Sequence, residues 1–295
     1  MHWISGDSPI SFPSLGIDMN PPAGFSIGTF EFRFYALAIT LGLVLAYVYG
    51  MKRRKDFGLT QDLILDGVLW IVPFAIICTR AYYCIFAWDE FKDNPISVLY
   101  IWNGGLAIYG GVIGAAIGII VYCKIKKLSI PMVLDITSLG FLIGQSIGRW
   151  GNFFNREAFG AETTSFLRMG LNKVVTESGR IVSSSAVHYY HPTFLYESVW
   201  NAAGFVLLHF LSKKRKYDGQ IALCYAAWYG LGRALIEGLR TDSLYWGPFR
   251  VSQLLAAVSC LAAVGVLVWM HFRHPDPANL YVNRVAAKAE ESTEE

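Results

Sequence analysis

Charge is the scarcest ingredient of this chain. Only 16% of its residues are Asp, Glu, Lys or Arg, where a soluble domain carries about 25%. The small net charge of +3, with the basic residues in short separated runs, excludes a nucleic-acid surface and argues against nucleic acid as a partner. Cysteine is sparse and unpatterned: Cys78, Cys84, Cys123, Cys224 and Cys260 show no CxxC or Cys/His spacing, so neither a disulfide framework nor a metal site is indicated. Four of them lie within apolar runs and Cys123 closes one, the habit of small buried hydrophobes. No repeat of 20 to 50 residues is visible, and no inverted duplication.

Apolar residues are abundant instead, at 54%, with a mean hydropathy of +0.39. Seven apolar runs are long enough to cross a hydrocarbon core of about 30 Å at about 1.5 Å of rise per residue: Phe34–Met51, Leu63–Trp88, Gly104–Cys123, Ile130–Ile147, Pro192–Leu211, Gln220–Leu239 and Val251–Phe272. The pattern predicts an all-α, polytopic membrane protein with seven transmembrane helices. Residues 1–33 lack a basic start and contain Pro13, Pro21 and Pro22, so they read as an extramembrane lead-in and not as a signal peptide. Basic clusters follow the first run (Lys52 to Lys55), the third (Lys124, Lys126, Lys127), the fifth (Lys213 to Lys216) and the seventh (Arg273). Excess Lys and Arg mark the cytoplasmic side, which places the N-terminus outside and the C-terminus in the cytoplasm. The expected division is an extracytoplasmic segment 1–33, a membrane domain 34–273 with an outer insertion at about 156–190, and a cytoplasmic tail 274–295. The tail reads as a solvated extension.

Polar groups inside a span are costly, about 2.5–3.5 kcal/mol for a central charge on insertion scales, so their depth is informative. With this topology Arg80 lies in the outer third of the second span, and Tyr109 between one and two turns below the outer end of the third. Arg149 and Asn152 follow the outer end of the fourth; His191, Tyr196 and Glu197 open the fifth. Tyr229, Arg233 and Glu237 stand four apart in the outer half of the sixth, on one helix face, and Tyr35 starts the first. Polar residues of several spans thus converge on the outer half of the bilayer.

Each has a plainer reading. Arg233 and Glu237 could be a self-neutralising pair, Tyr35 and Tyr229 interfacial aromatics, and Arg149 a snorkelling side chain. Asp66 and Asp135 read as caps or counter-charges to the basic loops, and His209 and His271 as structural residues without partners at inner boundaries. Gly110, Gly114 and Gly118, and likewise Gly140, Gly144 and Gly148, read as helix-packing positions, with a glycine-lined substrate path as the alternative. What these readings leave unexplained is the gathering of three arginines at one depth, where planar guanidinium groups suit an anionic headgroup.

The run Gly148-Arg149-Trp150-Gly151-Asn152-Phe153-Phe154-Asn155-Arg156-Glu157-Ala158-Phe159-Gly160 resembles the signature of the prolipoprotein diacylglyceryl transferases, GRxGNFxNxExxG. Four other segments are similar to family motifs in order and spacing: Trp102 to Gly111; His191-Pro192-Thr193-Phe194-Leu195-Tyr196-Glu197 (HPxxLYE); Tyr229 to Arg233 with Glu237 and Arg240 (YGxxRxxxExxR); and Arg250 to Gln253. The likeness covers roughly Tyr35 to Phe272. One position departs, since many members carry His where Tyr109 stands, and tyrosine, with a reference pKa near 10, is a poor base for a thiol near 8.5.

The resemblance implies transfer of the diacylglyceryl group of phosphatidylglycerol to the lipobox cysteine of a prolipoprotein, in the bacterial plasma membrane with the site toward the outer leaflet. No metal or organic cofactor is needed for this chemistry. The phosphatidylglycerol phosphate would be held by Arg149 and Arg233, with Asn152 donating hydrogen bonds and Arg80 as a further member. Glu237 would orient Arg233, while Tyr35 and Tyr229 would line the headgroup pocket. Tyr109, His191 and Glu157 remain open as the proton acceptor. Two rival classes fare worse. A retinal photoreceptor needs a lysine in its last helix, and Val251–Phe272 has none. A lipid or anion transporter predicts polar residues through the whole depth and internal duplication.

Overall fold

The computed structural model describes residues 2–176, 180–240, 245–246 and 249–294. Strands β1 (His2–Ile4), β2 (Ile10–Phe12), β3 (Ile17–Met19), β4 (Gly24–Ile27) and β5 (Phe30–Arg33) precede α1 (Phe34–Arg53), α2 (Gln61–Phe86), α3 (Ile108–Lys126) and α4 (Ile130–Asn155). Strands β6 (Met169–Val175) and β7 (Ile181–Tyr190) lead to α5 (Thr193–Ser212) and α6 (Gln220–Glu237). A short pair, β8 (Tyr245–Trp246) and β9 (Phe249–Arg250), then runs into α7 (Val251–Phe272) and α8 (Tyr281–Glu294). The chain is mostly helical, but it is not all-α: the N-terminal segment and much of the 156–190 insertion fold as antiparallel strands. Period-two alternation in three- and four-residue strands is too brief to stand out beside helices of this length.

Among the described residues six helices, α1 to α5 and α7, are long and apolar enough to cross a membrane. The sixth apolar run also forms a helix, yet α6 falls outside that set, because Arg233 and Glu237 and its several Tyr, Trp and Gly residues dilute it. Two helix boundaries differ from expectation. Gly104 and Gly105 take φ of 89° and 71°, a left-handed region that stops a helix, so α3 begins at Ile108 and Tyr109 sits in its first turn, not one to two turns in. Helix α4 runs on to Asn155, so Arg149 and Asn152 ride on its last turns and do not follow it. The tail is helical over Tyr281–Glu294, with Leu280 buried before it. Glu295, and residues 177–179 of the insertion, lie outside the described residues.

The chain divides into two compact units. The first comprises residues 1–49, 137–216 and 220–275. In it β2 of the N-terminal segment pairs with both β3 and β6, giving a four-stranded sheet in the order β3-β2-β6-β7. Ile10 and Phe12 of β2, Met169 and Leu171 of β6 and Tyr190 of β7 bury against Phe153, Phe159 and Phe194. One apolar core thus joins the sheet to the end of α4 and the start of α5. Helices α5 and α6 are locked by a reciprocal pair: Trp200 Nε1 donates to the Trp228 carbonyl (3.1 Å), Trp228 Nε1 donates to the Trp200 carbonyl (3.0 Å), and the rings stack at 4.5 Å. Gly204 and Gly232 lie flat beneath the two indoles, where any Cβ would overlap the rings. Gly42 and Gly144 meet between α1 and α4 in the same way, as the packing reading expects; Gly148 meets nothing within 4 Å. His209 is not without a partner, since its Nδ1 lies 2.9 Å from the Tyr49 hydroxyl.

The second unit comprises residues 50–136, 217–219 and 276–295. Gly110 and Gly114 let α3 approach α2 at Cys78 and Ala75. Asp66 answers Lys126 at 2.8 Å and Asp135 accepts from the Gly219 amide at 2.8 Å, both as the structural reading expects. The start of α8 is held by Asp218, which accepts from the Tyr281 amide at 3.0 Å.

Arg156, in the turn after α4, ties the N-terminal segment to the rest of the first unit. Its backbone is left-handed (φ 50°), and its guanidinium is buried. That group donates to the carbonyls of Ser8 (2.9 Å), Phe154 (2.5 Å) and Pro21 and to Asn20 Oδ1 (3.1 Å). Lys173 Nζ donates to the Arg156 carbonyl (3.0 Å) and pairs with Asp7 (2.7 Å). Burial withdraws the guanidinium from water and lowers its pKa. Truncation would strand several buried carbonyls, at about 1–3 kcal/mol each where water does not replace the donor. Arg156→Ala is therefore expected to lower the thermal midpoint of the detergent-solubilised protein by several degrees, with Arg33→Ala, an exposed ion-pair member, as a control that shifts it little.

Candidate active site

The site is built in the first unit where the ends of α4, α5 and α6 meet. The chain leaves α4 through two left-handed residues, Arg156 and Ala158 (φ 50° and 54°), and Glu157 N closes the turn on the Asn152 carbonyl at 3.1 Å. Thr193 Oγ1, at the start of α5, donates to the Ala158 carbonyl (2.5 Å). Gly160 N then donates to the His191 carbonyl (2.9 Å), and Ala161 N to the Leu239 carbonyl (2.7 Å). Gly160 must be glycine: a Cβ there would stand 2.7 Å from both His191 Cβ and the Leu239 carbonyl. This short stretch pins three helix ends to one another.

Glu197, buried on the first turns of α5, is the centre. Its carboxylate takes Arg149 Nη2 at 2.5 Å, Arg240 Nη1 at 3.1 Å and Arg233 Nη1 at 3.3 Å. Arg233 Nη2 also pairs with Glu237 one turn along α6, at 2.7 Å, and Arg250 donates to the Glu237 carbonyl. Three guanidinium groups gather on two carboxylates here, and forks held in this way suit an anionic ligand. Side-chain exposure separates the arginines: 24% for Arg149 and 18% for Arg233, but 9% for Arg240. Arg149 and Arg233 can reach a ligand, whereas Arg240 chiefly holds the carboxylate.

A second chain of contacts runs along the end of α4. Arg149 Nη1 donates to Asn152 Oδ1 (3.3 Å), and Asn152 Nδ2 donates to Glu157 Oε1 (3.0 Å), which also accepts from Asn155 Nδ2 (3.2 Å). Tyr35, at the start of α1, packs on Gly151, where a Cβ would lie 2.7 Å from its ring. Tyr229 stacks on Tyr225 at 5.7 Å, and Tyr225 accepts from Gln145 Nε2 (3.0 Å). Tyr229, Arg233, Glu197 and Asn201 line a small cleft between α5 and α6. His191 faces the Tyr196 hydroxyl (Nδ1 to Oη 3.3 Å); partial burial moves its imidazole below the ordinary value, so it is neutral at pH 7.

The structure thus brings Arg149, Asn152, Glu157, Arg233 and Glu237 into one connected network, with Tyr35 and Tyr229 at its edges. Arg80 and Tyr109 belong to the second unit. The Arg80 donors are spent on main-chain carbonyls: Nε on Val98 (2.8 Å), Nη2 on Ser97 (2.8 Å), and Nη1 on Gly104 (2.8 Å) and Gly105 (2.9 Å). Its ring partner is Phe91, at 4.9 Å. It staples the 97–105 loop ahead of α3. Tyr109 is 54% exposed and lies 6.3 Å from the Tyr82 ring. The reading of the sequence assigned no role to Glu197 or Arg240, although both close motifs quoted above. The signal was present: they are ionisable residues at motif ends, 43 positions apart.

Glu197→Gln keeps the shape of the hub and removes its charge. Breaking a buried ion pair in this way costs about 3–5 kcal/mol, so a fall in turnover of at least about 100-fold is expected in a folded protein. A glutamine variant with half the wild-type turnover would mean that the arginines are held by other contacts.

Comparison with known proteins accords with this geometry. Residues 22–269 match the family model described as prolipoprotein diacylglyceryl transferase. A phosphatidylglycerol–prolipoprotein diacylglyceryl transferase of Listeria monocytogenes serotype 4a is 38% identical over 262 residues, 89% of this chain and 94% of that protein. Proteins of the same name from Lysinibacillus sphaericus and Limosilactobacillus reuteri are 39% and 40% identical, covering 91% and 84% of this chain and 98% and 90% of their own lengths. With a family model spanning most of its residues and relatives aligned over nearly their whole length, this chain belongs to the prolipoprotein diacylglyceryl transferase family.

Proposed function

We propose that this protein transfers the diacylglyceryl group of phosphatidylglycerol to the lipobox cysteine of a prolipoprotein signal peptide. The observation that carries the reading is the arginine cluster on Glu197, with the Arg149 and Arg233 guanidinium groups still partly exposed. The peptide thiol attacks the lipid carbon bonded to the phosphate oxygen. The C–O bond breaks as the C–S bond forms, glycerol phosphate departs with the electron pair, and the thiol proton passes to an acceptor. Arg149 and Arg233 hold the phosphate and stabilise the charge that grows on it. Glu237 and Glu197 fix the two forks in place, and Asn152 links the grip to Glu157. Of the three acceptors open in the sequence, Glu157 is the one hydrogen-bonded into this network, and we assign it the thiol proton. Arg80 acts through the loop it staples. An organised anion grip at one place favours this reaction over transport, which needs polar groups along a path.

The same reading includes seven spans, with α6 as the one not apolar enough to be recognised alone. It is flanked by α5 through the tryptophan pair and by α7 through Gly230 on the Ala256 carbonyl, so its polar residues need not face lipid. The N-terminus and the 156–190 insertion lie outside, the C-terminus inside, and the site opens to the outer leaflet of the plasma membrane. With the native cysteines replaced, Ser184→Cys is expected to react with an impermeant maleimide in intact cells and Lys214→Cys only after lysis. The reverse pattern would invert the topology.

Two variants test the chemistry, with phosphatidylglycerol vesicles and a lipobox peptide read by mass spectrometry. Arg149→Lys is expected to lose about as much as Arg149→Ala, at least about 100-fold, because a point charge cannot reproduce a planar fork; a lysine variant near wild-type activity would reduce the grip to simple charge. Tyr109→His is expected to leave the pH–rate profile in place. His and Tyr differ by more than about three units in reference pKa, so a shift of two or more would make residue 109 the proton acceptor.

A further inference from the structure

Asn201 lies one turn along α5 from Glu197, on the same helix face and about 6 Å further along the axis. It is 97% buried and it lines the cleft between α5 and α6 together with Glu197, Tyr229 and Arg233. Its Oδ1 is buried and accepts no hydrogen bond. Buried acceptors in folded proteins are nearly always paired, and one without a donor marks a position where something else supplies it. Two of the nearby donors are committed elsewhere: the Trp200 indole to the Trp228 carbonyl, and the Arg233 guanidinium to Glu197 and Glu237. An occupant of the cleft can supply the donor that Asn201 lacks.

We infer that Asn201 Oδ1 accepts a hydrogen bond from a hydroxyl of the lipid headgroup, making it the residue that selects a polyol phosphate among anionic donors. The inference rests on the donor-lipid reading above and adds the part of the lipid that is read. A phosphate gripped by Arg149 and Arg233 would put the headgroup alcohol beside the cleft that Asn201 and Arg233 line. The Arg233 guanidinium in the same cleft disfavours an ammonium group there, although an ammonium could also donate. A neutral hydroxyl meets both conditions. A site built around a hydroxyl rejects the analogue that lacks it, because the buried acceptor is then left without a partner.

The test compares two donors of equal charge and similar size: phosphatidylglycerol, and phosphatidylpropanol, whose headgroup has no hydroxyl. Each is presented in vesicles with the same lipobox peptide, and kcat/KM is measured for wild type, Asn201→Leu and the smaller Asn201→Ala. Wild type is expected to prefer phosphatidylglycerol by about tenfold or more, and the ratio to fall close to one in both variants, chiefly through KM. A ratio preserved in the variants, or equal loss on both donors, would show that Asn201 has only a structural role or is satisfied by water, and would overturn the proposal. So would a wild type indifferent to the headgroup hydroxyls. Failure of the donor-lipid reading is distinguishable, because wild type would then modify the peptide with neither lipid.

Discussion

The carboxylate of Glu197 is the contact on which the site depends. Three guanidinium groups from α4, α6 and the segment just past α6 share it, and no two of them could stand so close without it. A buried carboxylate is costly alone, and so is each arginine. Together they become tolerable. Such an arrangement adds little to stability compared with an apolar core of the same volume. In the proposed reaction it would provide a fixed fork geometry, set before substrate arrives, so that little reorganisation is needed as charge moves onto the leaving phosphate.

Holding that geometry requires the helix ends to be fixed to one another. The turn after α4 does this with few residues: left-handed Arg156 and Ala158 reverse the chain, and Gly160 passes between His191 and Leu239 with no room for a side chain. The tryptophan pair then sets the approach of α5 and α6, each indole seated on the other helix's glycine. Arg156 extends the arrangement outward, because the N-terminal strands are attached through the same turn that positions Asn152 and Glu157. The N-terminal segment is thereby a structural neighbour of the site, although Arg156 and the residues it bonds there stand 135 to 148 positions apart.

Much of this was legible from residue order. Long apolar runs report helices because only a helix satisfies its own backbone in lipid, and six of the seven runs are helices of spanning length and hydropathy. Arg149, Asn152, Arg233 and Glu237 stood out because polar residues are rare in such surroundings. Glu197 and Arg240 were no less visible as letters, yet their roles were not: the sixth run looked self-sufficient with Arg233 and Glu237 four apart, and nothing linear says that Arg233 bridges two carboxylates. Arg80 illustrates the opposite case. As an intramembrane arginine it resembled a phosphate ligand, and only the folded loop reveals four carbonyl oxygens competing for its donors.

The sequence by itself determined the class of the protein, the presence of its long apolar helices, and the motifs of its family, because each of these is a property of composition or of short-range order. Tertiary structure decided the rest. Pairing of β2 with β6, the attachment of the tail to Asp218, the convergence on Glu197 and the unpaired acceptor of Asn201 all join residues distant in the chain. Their energies come from burial and from hydrogen bonds that exist only once the helix ends have met.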